Sequence, residues 1–178
     1  MTDHAEIDTE IDTETDAAVD TEIRALYARM CRAWSSGDAE AYGACFTDDC
    51  DYVAFDGSHV RGRAAVVRSH DALFRGVLNG SRLVGEVTGT RRLGRDAALA
   101  HGLGSIVVAW RARPPRRRLT VNTLVAVRCP EGWRFAAIHN GRVRPLTVPQ
   151  PDAVPSRVAR ALVRGARTAG LGRYRRSA

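Results

Sequence analysis

Apolar residues change their spacing along this chain, and the changes divide it into helical and extended parts. Ile23, Leu26, Tyr27, Met30 and Trp34 recur three or four residues apart, which is one helix face, and Ser35-Ser36-Gly37 ends the run. Asp38 fits the N-cap of a short second helix with Ala41, Tyr42, Cys45 and Phe46 on its face. Asp51 to Phe55 reads as a strand turned by Asp56-Gly57, and Ser58 to Arg61 pairs back as a hairpin. After Gly62, Val66, Val67, His70, Leu73, Phe74 and Val77 return to helical spacing, and Asn79-Gly80 closes that helix. Beyond it the period falls to two. Four long strands are expected near residues 81–92, 97–112, 117–128 and 132–144. Their connections, Gly94-Arg95-Asp96, Pro114-Pro115-Arg116 and Pro130-Glu131-Gly132, are short and rich in turn formers, so the strands are antiparallel neighbours.

The expected class is therefore α+β, a curved antiparallel sheet packed on three helices as a cone with a cavity. The last strand carries the most information. In a regular strand Trp133, Phe135, Ala137 and His139 share one face, and Arg134, Ala136, Ile138 and Asn140 share the other. His139 and Asn140 are adjacent, so only one of them faces the cone unless a bulge intervenes.

Charge is what marks the ends. The net charge is +7 and all 27 basic residues are arginine. Residues 1–22 hold nine acids and no Arg, and residues 155–178 hold seven Arg and no acid. Residues 1–18 are thus expected to be an acidic disordered extension, 19–146 the folded domain, and 147–178 a Pro-containing linker with a basic tail. Arg157, Arg160, Arg164 and Arg167 fall three or four apart, so the tail is either a short basic amphipathic helix or a solvated segment. The arginines are scattered and no nucleic-acid motif accompanies them, so nucleic acid is not an expected partner. Neither is a membrane: no window approaches 18 uninterrupted apolar residues. The acidic start lacks a signal-peptide pattern, which points to the cytoplasm.

Several chemistries lack their motifs. Cys31, Cys45, Cys50 and Cys129 form no C-x-x-C pair and no His-x-His completes a zinc site, so no metal is expected. No G-x-G-x-x-G follows a strand, so no bound cofactor is expected; Gly102 and Gly104 serve curvature or close packing. Asp56 reads as a turn acid. The candidate catalytic residues are His70, on an apolar helical stripe, with His101 and His139 on neighbouring strands. Imidazole titrates near neutrality and suits general acid or base work, although a lone buried histidine is more often a packed core residue. Candidate ligand-binding residues are Trp34, Tyr52, Phe55, Phe74 and Trp110 as cavity walls, or else plain core, with Asn122 and Asn140 as polar contacts.

The spaced pieces together resemble a known family. Ala33-Trp34-Ser35-Ser36-Gly37-Asp38-Ala39, the run Thr47 to Gly57, Arg61-Gly62-Arg63, His70 to Phe74, Ala98 to His101 and Trp133 to Arg142 resemble the SgcJ/EcaC branch of the SnoaL-like proteins, within the nuclear-transport-factor-2-like superfamily. The resemblance spans roughly residues 19–144. It implies a cone fold with a pocket at its mouth and a homodimer formed through the sheet. It also implies a role on an apolar, polyketide-like molecule in natural-product biosynthesis, enediyne pathways included. Members often carry an oxidoreductase label, and relatives include polyketide cyclases and isomerases. The alternative is a carrier or interaction domain without chemistry.

Overall fold

The computed structural model describes residues 4–115, 118–144 and 149–168, with side chains from Asp16 onward except that of residue 167. Residues 1–3, Arg116, the expected start of a strand at 117, residues 145–148 of the linker and residues 169–178 of the tail lie outside them. The chain divides into two compact units, residues 1–143 and 144–178.

The first unit opens with α1 (His4–Ser36) and α2 (Ala39–Gly43), followed by β1 (Phe46–Val53), β2 (His59–Arg61) and α3 (Arg63–Arg75). Four long strands complete it: β3 (Arg82–Arg92), β4 (Ala97–Val107), β5 (Leu119–Cys129) and β6 (Gly132–Arg142). The α+β class expected from periodicity is the one found. The backbone is helical from His4 to Ser36, so the expected boundary at residue 18 falls within α1. Val19 already lies in the core. Gly37, at φ +69°, ends α1 with its N–H on the Trp34 carbonyl at 2.9 Å. The Asp38 carboxylate then accepts from the Ala41 N–H at 2.9 Å, as its position in the sequence suggests. β4 ends at Val107, five residues short of the expected limit, and α3 stops before Val77.

The six strands lie in the order β2-β1-β6-β5-β4-β3. All pairs are antiparallel except β1–β6, which run parallel. Helices cover one face. Ile23, Met30, Tyr42, Phe46, Val66, Leu124 and Phe135 are buried there, and α1 is tied to β3 by Arg24 donating to the Val87 carbonyl. Gly102 and Gly104 make room for Tyr27: a Cβ on Gly102 would sit 3.3 Å from the Tyr27 ring and one on Gly104 3.1 Å from its hydroxyl.

A bulge in β6 decides which side chains enter the cone. Val125 of β5 pairs with Ala137 but Ala126 pairs with Phe135, so Ala136 is an extra residue. Alternation shifts by one there. Trp133 and Phe135 are buried before the bulge, and Ile138, not Ala137, is buried after it. Asn140 consequently turns inward and His139 outward.

The second unit contains α4 (Val154–Thr168), which starts with Pro155 in its first turn, where a missing N–H costs nothing.

Candidate functional site

α3 carries His70 into the core at 3% exposure, on the same face as Val66 and Phe74. Its Nδ1–H donates to the Val66 carbonyl one turn back at 2.8 Å, which leaves Nε2 as an acceptor. Four aromatic rings enclose the imidazole. Tyr42 stacks on it at 4.3 Å between centroids, and Tyr52, Trp34 and Phe74 meet it edge-on at 5.2, 5.5 and 5.9 Å. Burial pushes its pKa down to about 4, with the Val66 carbonyl opposing, so the ring is neutral at neutral pH.

A line of polar groups borders this box. The Tyr42 and Tyr52 hydroxyls lie 3.2 Å apart, and burial raises the pKa of both. Asn140 reaches the Tyr52 hydroxyl and donates from Nδ2 to the Val53 carbonyl at 2.9 Å. Asn122 Nδ2 donates to Asn140 Oδ1 at 2.5 Å, and the Tyr27 hydroxyl donates to Asn122 Oδ1 at 2.9 Å. Tyr27, Asn122, Asn140, Tyr52 and Tyr42 thus form one chain of contacts from α1 through β5, β6 and β1 to α2.

Trp34, Tyr52, Phe74, Asn122 and Asn140 therefore surround His70 or join its polar border. The three imidazoles do not converge. His101 and His139 are exposed on the outer face of the sheet, flanking Thr123 on the strands either side of it. For His139 the cause is the Ala136 bulge; for His101 it is alternation from Ala100 and Gly102, both buried. Phe55 is 49% exposed beneath the Arg142 guanidinium, 4.1 Å from its ring, and Trp110 is 77% exposed in the loop after β4. Tyr42 and Tyr27 were not among the residues singled out for chemistry. Their apolar spacing hid them, and only the hydroxyl on an inward face marked either one.

Open space lies beside the rings, not around the imidazole. A cleft of about 340 Å³ runs between the ends of α1 and α3, lined among others by Trp34, Asp71, Phe74, Arg75, Leu78 and Ser81. Trp34 and Phe74 thus touch both the cleft and His70, and Trp34 is held by its Nε1–H on Ser81 Oγ at 3.1 Å. The thiols lie apart from this chemistry: burial pushes Cys31 up to about 12 and raises Cys45 and Cys50, so they stay protonated. Asp56 accepts from the Ser58 N–H and hydroxyl, as a turn acid does. Among the described residues no three His, Cys, Asp or Glu side chains cluster to hold a metal, and no helix is long and apolar enough to cross a membrane.

A mixed sheet curled over three helices, with a neutral imidazole in an aromatic box between them, defines a cone-fold domain of the nuclear-transport-factor-2-like, cystatin-like kind. Residues 23–141 match the SnoaL-like domain, and the chain belongs to that family. A cystatin-like domain of unknown function from Nostoc punctiforme is similar at 25% identity and TM-score 0.68, over 85% of this chain and 98% of that one. A nuclear-transport-factor-2-like protein from Novosphingobium aromaticivorans is 22% identical at TM-score 0.63, over 89% and 97%. A candidate dehydratase of the same superfamily from Streptomyces avermitilis is 19% identical at TM-score 0.60, over 74% and 99%. No curated protein sequence matches the chain.

Proposed function

We propose that this SnoaL-like protein binds an apolar, polyketide-like intermediate of natural-product biosynthesis, of which enediyne formation is one example, and acts on it by acid–base chemistry at His70. The observation that carries the reading is the neutral imidazole with Nδ1 committed to Val66 and Nε2 left to accept, set among aromatic rings and beside two phenols. In such a site Nε2 takes a proton from carbon or oxygen of the guest while the Tyr52 hydroxyl donates to its carbonyl. Elimination of water, cyclisation and isomerisation all fit that pairing, and the similarity to a candidate dehydratase supports the first. Trp34 and Phe74, shared with the cleft, are the rings that would move to admit a guest.

Purified protein incubated with aromatic β-hydroxy ketones is expected to release water from one of them. His70→Gln is expected to slow the reaction on the order of 100-fold or more, and Tyr52→Phe, which keeps the ring, to slow it without loss of folding. A guest bound tightly but recovered unchanged favours a second reading, a carrier, which the low basicity of His70 also suits. Absence of both binding and turnover across such compounds overturns the proposal.

A second copy packed sheet to sheet belongs to the same reading. On the outer face Leu99 lies opposite Val125 and Leu103 opposite Val121, two apolar pairs either side of the His101–Thr123–His139 row that a second sheet would cover.

A further inference from the structure

We propose that α4 is a docking helix for a bilayer surface rich in anionic phospholipid headgroups. The tail looks in sequence like a short, interrupted apolar face. The structure keeps it helical through Gly165, for 15 residues. At 3.6 residues per turn, Val154, Val158 and Leu162 fall within about 80° of arc, and Arg157, Arg160 and Arg164 within about 60° on the other side. All three arginines are exposed, and so are the apolar residues: Val154 and Leu162 at 69%, Val158 and Val163 at 52%. No acidic residue follows Asp152 anywhere in the chain.

Each half of the face needs its own complement. Arginines alone suit any polyanion, nucleic acid included, but three exposed aliphatic residues gain nothing from a phosphate backbone. A folded protein partner usually seats aromatic or long anchors in a pocket, and α4 holds no Phe, Tyr, Trp or Met. A shallow aliphatic strip bordered by arginine matches the layered chemistry of a membrane surface, phosphates outside and acyl chains beneath. The helix would lie flat in that surface, without spanning it.

The test uses the full chain and vesicles of phosphatidylcholine with or without phosphatidylglycerol. Co-sedimentation is expected only with phosphatidylglycerol present, and is expected to fall steeply at about 0.5 M salt. Changing Arg157, Arg160 and Arg164 together to Gln should weaken partitioning on the order of 100-fold. Leu162→Asp should weaken it about tenfold or more while leaving the thermal midpoint unchanged. No partitioning at low salt overturns the proposal. So does wild-type binding by either variant: retention in Leu162→Asp would make α4 a general polyanion site.

Discussion

His70 gives the residue scale its clearest consequence. Its folded-state pKa of about 4 lies below the ordinary 6.5, so between these values the unfolded chain binds the proton more readily. The stabilising contribution is complete above pH 6.5 and falls as the pH drops towards 4. The total loss is about 3 kcal/mol. Urea titrations of wild type and His70→Gln should show it directly: the difference between them narrows across this window and is flat above it. Asn122 makes a second case. It accepts from Tyr27 and donates to Asn140 in a buried setting, so Asn122→Leu strands two polar groups. The expected cost is about 2–4 kcal/mol by denaturant unfolding, and adding Tyr27→Phe should recover part of it.

At the scale of elements, the Ala136 bulge decides what the cone contains. Inserting one residue between Ala137 and Ile138 would flip the rest of β6, sending Ile138 and Asn140 outward and His139 into the apolar interior. The expected loss exceeds about 4 kcal/mol, with no cooperative thermal transition left to measure. Removing one residue from the exposed turn at 94–96 should be tolerated. This same feature marks where sequence reading stops. The helices, the four long strands and their turns were legible because 3.6 and 2.0 periodicities are strong over ten residues and Gly, Pro and Asp punctuate them. Which of His139 and Asn140 enters was not, because two small alanines in a row give no periodic sign that an extra residue is present. Tyr42 was hidden for another reason: on a five-residue helix a functional phenol and a core aromatic have the same spacing. The parallel pairing of β1 with β6 left no local signal, since its partners lie some 85 residues apart (Val53 and His139).

For the whole molecule, the outer face of the sheet is the test of assembly. Val121→Arg, opposite Leu103, should convert the proposed dimer into monomers in sedimentation velocity without lowering the far-ultraviolet helix signal. His101→Ala, on the same face, should leave the turnover proposed at His70 untouched, because the sheet separates the two rings. The tether between His70 and Val66 reaches further than orientation. An imidazole with one nitrogen already engaged cannot relay hydrogen ions through itself to bulk solvent. Whatever it lifts from a guest it must hand back to that guest or to the departing fragment. A substrate deuterated at the abstracted position would then keep its label in the product of an isomerisation, whereas a dehydration would release it with the departing hydroxyl as HDO.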